Sequence, residues 1–172
     1  SDLVHAAGKE LTVAVNALMH QDMMDRIKPF LDFLASINVD YITVGDAGVF
    51  YVLKRDGYNF KTIYDASTMV TSSRQINFWG QKAGASEAVL AREIPSAELF
   101  KMPDKHRTHI FANNDLDLMT KLSELVEHGF THWKLEGIYT PGQNFVEIAK
   151  CFVKARELLE AGTFTSDQAF LL

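Results

Sequence analysis

Two short segments combine side chains that could bind an anion and transfer a proton. Arg92-Glu93 places a cation beside a carboxylate, and Lys134 and Glu136 repeat this combination with one residue between them. A guanidinium or ammonium group can hold a negatively charged substrate, while a carboxylate can give or take a proton. The alternative is an ion-pair network with a structural role alone. We favour the catalytic interpretation because both segments fall at the ends of predicted strands.

Further polar residues at or just beyond predicted strands are candidates for substrate binding. An amide and an imidazole close the first predicted strand and its loop, and two carboxylates and a hydroxyl follow the next two strands. A histidine in a loop more often caps a helix or faces solvent than binds a ligand, so the alternative for His20 is a role without substrate contact. The candidate substrate-binding residues are Asn16, His20, Asp46, Asp65 and Ser67.

The elements that position these residues are predicted from hydrophobic periodicity. Short apolar or β-branched segments predict six strands, at 11–15, 41–44, 61–64, 88–91, 108–111 and 132–136. Apolar residues at steps of three and four predict helices after them. The first such helix would bury Met23, Ile27, Phe30, Leu34 and Ile37 on one face. Pro29 interrupts this pattern and predicts a kink or a late restart of the helix.

Six steps from strand to helix predict an α/β fold with parallel strands, either a doubly wound sheet or a TIM-like (β/α) barrel. The polar residues at the strand ends favour the barrel, because β/α barrels carry their chemistry at that edge. No Gly-rich dinucleotide fingerprint follows any strand. A complete barrel needs eight units and about 250 residues. The 172 residues therefore predict an incomplete barrel, at whose mouth we expect Arg92 and Glu136 to meet.

Composition narrows the function classes. The chain has 17 Lys and Arg against 22 Asp and Glu, a net charge of −5, which disfavours general nucleic-acid binding but leaves room for a local basic cleft. No apolar run is long enough for a membrane span, and no signal peptide precedes the first strand. The single cysteine, Cys151, cannot form an internal disulfide. We expect a cytoplasmic protein with no membrane contact.

Metal and nucleophile chemistry find no support in the spacing of residues. The six histidines form no pair at the spacing of helical zinc ligands, so we expect no metal site. Nothing adjacent to Cys151 would lower its pKa, and no serine lies in a G-x-S-x-G turn. Serine or cysteine protease chemistry is therefore not expected.

Two strand segments resemble motifs of peptidase family U32, the collagenase-like proteases. Residues 88–94 (AVLAREI) are similar to the family's v-l-s/a-R-E-l strand, and residues 133–137 (WKLEG) are similar to its K-I-E-G strand. Weaker similarities occur in family order at residues 6–17, 38–46 and 78–80. Each match alone is weak, but together they are specific.

The resemblance implies one TIM-like barrel domain over residues 1–172. It also implies that two family segments are absent: an opening strand and helix before Ser1, and a long insertion between Met102 and Pro103 that often carries cysteines. An iron–sulfur cluster could belong to that insertion, whereas the 172 residues themselves show no cofactor. The cofactor and the oligomeric state therefore stay open.

Known members imply three functions. Some are named as collagenases or proteases, and others act in oxygen-independent hydroxylation of tRNA, ribosomal RNA or ubiquinone precursors. Short members with a role at the wobble uridine of tRNA usually work beside a longer paralogue. The first hypothesis is an enzyme or enzyme subunit in tRNA uridine hydroxylation that acts through the charged residues of the two strand segments. The second is a peptidase of collagen-like chains, and the third is a non-catalytic partner of a longer paralogue.

Two departures from the family pattern favour a partner role. Ile138 stands where many members have arginine, and Asp65-Ala66-Ser67-Thr68 stands where many have H-x-S-T. The apolar end of the sequence, Phe170-Leu171-Leu172, could contact such a partner or fold back on its own domain.

Overall fold

A computed structural model describes residues 1–103, 105–112, 119–137, 140 and 142–170. The chain forms two compact units, residues 1–94 and residues 95–172. Leu171, Leu172 and Ile138, which entered the sequence-based hypotheses, lie outside the described residues. No helix in the described ranges is long and apolar enough to cross a membrane.

The first unit is built from parallel strands that alternate with helices. Its strands pair in sequence order, with Val15 beside Val44 and Val44 beside Tyr64, and β4 continues the sheet beside β3. The elements are α1 Asp2–Ala6, β1 Thr12–Val15, α2 Gln21–Ser36, β2 Tyr41–Val44, α3 Ala47–Asp56, β3 Lys61–Tyr64, α4 Ser73–Ala83 and β4 Glu87–Val89.

The second unit repeats the alternation. Its two strands are parallel, with His109 opposite His132 and Phe111 opposite Lys134. The elements are α5 Ser96–Leu99, β5 Thr108–Phe111, α6 Leu122–Glu127, β6 His132–Lys134 and α7 Gln143–Glu160. The six parallel strands and their helices confirm the predicted α/β class, an incomplete TIM-like (β/α) barrel.

Helices cover one face of the first unit's sheet. Tyr64 of β3 stacks on Trp79 of α4, with ring centroids 4.5 Å apart, and contacts Phe50 of α3 at 5.5 Å. Ile42 and Val44 are fully buried and alternate with Thr43 along β2. Since side chains alternate along a strand, Thr43 and the residues aligned with it face the opposite side of the sheet.

The longest helix of the first unit corrects two predictions. Helix α2 begins before Pro29 and continues past it, so of the two predicted alternatives the late restart is wrong, while the kink stays a prediction. Burial of Ile27, Leu31 and Leu34 stabilises the helix by about 1.5–3 kcal/mol each, which outweighs the cost of an interior proline, about 3 kcal/mol. Met23 and Phe30 were predicted to be buried but are 41% and 42% exposed, because the buried stripe is centred on Leu31.

One carboxylate connects the N-terminal helix to the first two strands. Asp40 Oδ2, just before β2, accepts a hydrogen bond from the backbone N–H of Leu11 at 2.8 Å and lies 2.8 Å from His5 Nε2 of α1. The Leu11 N–H, followed by the His5 side chain, lowers the pKa of Asp40 below its usual value. The ionised carboxylate therefore stabilises this corner of the fold.

We expect Asp40→Asn to lower stability at neutral pH and to make it less sensitive to acid. A carboxyl group with a lowered folded-state pKa stabilises the fold above the unfolded-state pKa, about 3.9, and that stabilisation is lost as the pH falls through the folded-state value. Urea unfolding of both proteins from pH 7 to pH 2 checks this, and the difference between them should shrink below about pH 4. A constant difference across this range would contradict the assignment.

Candidate active site at the carboxyl ends of the strands

Three candidate residues lie at one edge of the first unit's sheet. Asn16 directly follows β1, Asp46 is the second residue after β2, and Asp65 directly follows β3. The last residues of these strands are paired in register, and the ladder extends one step further through a hydrogen bond from the Asp65 N–H to the Val44 carbonyl at 2.9 Å. The structure therefore brings these three positions to the edge where β/α barrels carry their chemistry.

Gly45 allows the ends of β1 and β2 to approach closely. A Cβ atom on this residue would lie 2.7 Å from the backbone oxygen of Asn16 and 3.1 Å from its Cα. Because backbone atoms cannot give way as a flexible side chain can, only glycine fits here. The absence of a side chain at Gly45 thus allows Asn16 to lie beside the turn that begins α3.

The carboxylate of Asp46 joins two loops of the site. Its Oδ1 accepts a hydrogen bond from the Gly48 N–H at 2.7 Å and caps α3, while its Oδ2 accepts one from the Met19 N–H at 3.3 Å. An aspartate at this position satisfies a helix N–H that would otherwise lack a partner. Asp46 therefore has a structural role, and its predicted contact with substrate stays a prediction.

Asp65 is a buried carboxylate at the same edge. It is 4% exposed, and its Oδ2 accepts a hydrogen bond from the Ser67 N–H at 3.1 Å. Its carbonyl oxygen accepts a hydrogen bond from the Thr68 hydroxyl, so the residue caps a 3₁₀ turn over Ala66–Thr68. Ser67 itself is exposed at the tip of this turn. Asp65 therefore orders the loop that presents Ser67.

A buried tyrosine lies next to this carboxylate. Burial raises the pKa of the Tyr64 phenol, a hydrogen bond with Thr68 opposes the rise, and the charge of Asp46 adds to it. The phenol is therefore protonated at neutral pH. The sequence did not single out Tyr64, because its apolar neighbours in the strand are typical of a core residue.

Arg92 and Glu93 are exposed in the turn beyond β4. The N–H of the preceding Ala91 donates a hydrogen bond to the carbonyl of Val70 at 3.0 Å. This bond ties the Arg92 turn to the loop between β3 and α4. In addition to this backbone bond of its neighbour, Arg92 itself takes part in at least one interaction. The candidate cation is thus held next to the Asp65 loop.

The second unit presents the other charged segment. Lys134 is the last residue of β6, and its Nζ lies 5.2 Å from the centre of the Phe111 ring on the neighbouring strand. Glu136 follows two positions later and is half-buried. Gly137 packs so closely against α7 that a Cβ atom would lie 2.9 Å from the Phe145 ring. The meeting of Arg92 with Glu136 at one mouth stays a prediction.

His20 and Asn16 are both exposed. His20 occupies the N-cap position of α2, and its side chain makes no capping hydrogen bond. It lies at the end of the loop between β1 and α2, and its contact with substrate stays a prediction.

The chain does not supply the ligands of an iron–sulfur cluster. Such clusters are commonly held by four cysteine thiolates, and the sequence contains one cysteine. Within the described residues, no three or more His, Cys, Asp or Glu side chains are grouped to hold a metal ion. The residues of this chain therefore do not fit an iron–sulfur cluster.

The amino-acid sequence of the chain matches the model of a known protein family. The model of the family described as Peptidase family U32 matches residues 1–108 and, in a second segment, residues 100–171. The chain belongs to peptidase family U32. The sequence-based resemblance is therefore confirmed, and the Arg92-Glu93 and Lys134–Glu136 segments lie within the matched ranges.

One curated relative of this U32 protein is tRNA hydroxylation protein P2 of Bacillus subtilis (strain 168). The two are 22% identical over 219 residues, an alignment that covers 91% of this chain and 71% of the relative. No solved structure gives a significant match.

Proposed function

We propose that this U32 protein takes part in the hydroxylation of uridine in tRNA, as an enzyme or as a subunit of one. The observation that carries the proposal is its similarity, along 91% of its length, to a protein named for tRNA hydroxylation. The charged residues at the strand ends are consistent with this function, because an RNA nucleotide offers a phosphate for a cation and ring atoms for proton transfer.

The proposed reaction assigns different tasks to this chain and to a co-reactant. Hydroxylation at C5 of uracil breaks a C–H bond and forms a C–O bond, which is a two-electron oxidation. The co-reactant must therefore both donate the hydroxyl oxygen and accept two electrons, while the C5 hydrogen leaves as a proton. The tasks left to the protein are to hold the nucleotide and to move the C5 proton. We assign the first to Arg92 and Lys134 and the second to Glu93 or Glu136, with Asn16, His20 and Ser67 as further hydrogen-bonding contacts.

Deleting the gene tests the proposal directly. We expect 5-hydroxyuridine-type nucleosides to disappear from digested tRNA, as measured by mass spectrometry, and a plasmid copy of the wild-type gene to restore them. Unchanged levels of these nucleosides in the deletion strain would reject a role in tRNA hydroxylation.

The family name gives a reason to test peptidase activity as well. A peptidase of collagen-like chains would cleave gelatin, and Glu136→Ala should abolish the cleavage if this carboxylate takes part. Cleavage that persists in Glu136→Ala would indicate a contaminating protease.

A third arrangement is a complex with a longer U32 paralogue, in which this chain supplies part of the tRNA site. Size-exclusion chromatography of the two proteins, alone and mixed, tests this arrangement. A monomer that does not co-elute with the paralogue would remove the reason to propose it.

A further inference from the structure

Met69, at the carboxyl edge of β3, has an unusual backbone conformation for its residue type. Its φ is +54°, and its side chain is 51% exposed. Among the described residues other than glycine, Asn38 alone shares a positive φ. Asparagine adopts this conformation readily, whereas methionine does so rarely. Met69 therefore combines local strain with exposure of an apolar side chain.

Hydrogen bonds on both sides hold Met69 in this conformation. Its carbonyl accepts a hydrogen bond from Gln75 Nε2 at 3.3 Å, and Gln75 Oε1 accepts one from the Thr71 N–H at 2.8 Å. The Met69 N–H donates to the Ala66 carbonyl at 2.9 Å. The loop is thus ordered around the strained residue. The positive φ of Met69 is therefore not the result of a loosely held surface turn.

A backbone hydrogen bond joins the Met69 loop to the turn that carries the candidate cation. Val70 is fully buried, and its carbonyl accepts the hydrogen bond from the Ala91 N–H. Met69 precedes Val70 and Arg92 follows Ala91, so both residues flank the same hydrogen bond. The exposed Ser67 lies two positions before Met69 in the same loop. One loop therefore exposes an apolar side chain and a hydroxyl, and it is hydrogen-bonded to the turn that exposes the cation.

Folding alone gives no reason for methionine at this position. Glycine would adopt the same φ without strain and would remove the exposed apolar surface. Strain that the surrounding structure maintains is typical of sites that bind or act on a ligand. The methionine side chain itself, rather than the shape of the loop, is the feature that needs an explanation.

We propose that Met69 contacts the substrate. Its thioether packs against one face of the uracil ring whose C5 atom is to be hydroxylated. This inference rests on the proposed function in tRNA hydroxylation. A polarisable sulfur makes favourable contacts with flat ring systems, and proteins recognise unpaired RNA bases by stacking them on side chains. Arg92, in the turn that is hydrogen-bonded to this loop, holds a phosphate of the same nucleotide.

Three variants separate this role from a structural one. Met69→Gly removes the side chain and relieves the strain, and Met69→Leu keeps an apolar side chain of similar size. Asn38→Gly is the matched control, because it has the same φ and lies between α2 and β2, before the strand begins. Neither glycine variant should lower the melting temperature by more than about 2 °C, since relief of strain opposes the greater freedom of the unfolded chain.

The readout is binding of an RNA anticodon stem-loop with uridine at the wobble position, followed by fluorescence anisotropy. We expect Met69→Gly to weaken binding about fivefold to tenfold, while Met69→Leu stays within about twofold and Asn38→Gly matches the wild type. Equal affinity of Met69→Gly and the wild type would overturn the proposal. If Met69→Gly fails to fold, Met69→Ser, which keeps the Cβ atom, gives the same comparison.

Complementation distinguishes failure of this inference from failure of the proposed function. If wild-type protein restores 5-hydroxyuridine in the deletion strain and Met69→Gly restores it equally well, the contact is wrong and the function stands. If the wild type neither restores the nucleoside nor binds the stem-loop, the proposed function fails and the Met69 contact fails with it.

Discussion

Replacing Glu136 with glutamine is expected to reduce formation of 5-hydroxyuridine by about 100-fold or more while the protein stays folded. Glutamine has nearly the same shape and can still form hydrogen bonds, but it cannot accept the C5 proton. Loss of a positioned general acid or base typically costs a factor of 10²–10⁴ in rate. Glu136 is half-buried after β6, beside the close contact of Gly137 with Phe145, so its position is well defined.

A matched variant on the last helix controls for the change of charge. Glu157 lies on the exposed surface of α7, with Oε2 3.4 Å from Lys154 Nζ. We expect Glu157→Gln to leave tRNA modification unchanged, because exposed ion pairs contribute little. The measurement is 5-hydroxyuridine per tRNA in a deletion strain that expresses each variant at equal level. Full modification with Glu136→Gln would assign proton transfer elsewhere, with Glu93 the next residue to test.

Replacing Gly45 with alanine is expected to lower both stability and activity. The added Cβ atom would lie 2.7 Å from the Asn16 backbone oxygen, so the ends of β1 and β2 must separate. Forcing an extra carbon into a closely packed position typically costs about 1–3 kcal/mol. The separation also moves Asn16 away from the edge, so tRNA modification should fall even at temperatures where the variant is fully folded. Urea unfolding and mass spectrometry of tRNA measure the two effects.

A second glycine shows whether lost stability alone explains lost activity. Gly57, after α3, has a φ of +73°, and a Cβ atom there would meet no atom within 4 Å. Gly57→Ala should therefore destabilise the protein by about 1 kcal/mol through backbone strain alone and leave modification intact. If Gly45→Ala matches the wild type in both measurements, or Gly57→Ala loses modification to the same degree, the role assigned to the Gly45 contact is wrong.

Periodicity in the sequence was enough to predict the order of strands and helices but not every boundary or buried face. All six strands occur where they were predicted, three with the predicted ends and three with ends that differ by one or two residues, since short runs of β-branched and apolar residues mark buried strands well. The face of α2 was harder to predict because several apolar stripes fit its composition. Packing selects the stripe through Leu31 and leaves Phe30 exposed, and that choice depends on contacts distant in sequence.

The candidate site was predictable in position and less so in detail. Parallel strands bring their carboxyl ends to one edge, which is why Asn16, Asp46 and Asp65 could be chosen from the sequence. The hydrogen bond between Asp46 and Met19 joins two loops and has no local signature. The positive φ of Met69 is set by its partners in the folded chain, so nothing in its sequence context indicated it.

The two hydrogen bonds of the Asp46 carboxylate constrain how this protein can diversify. Because one oxygen caps α3 and the other holds Met19, the segment between β1 and α2 cannot change length without releasing one end of that bridge. Insertions and deletions in this segment should therefore appear in homologues together with substitution of the aspartate.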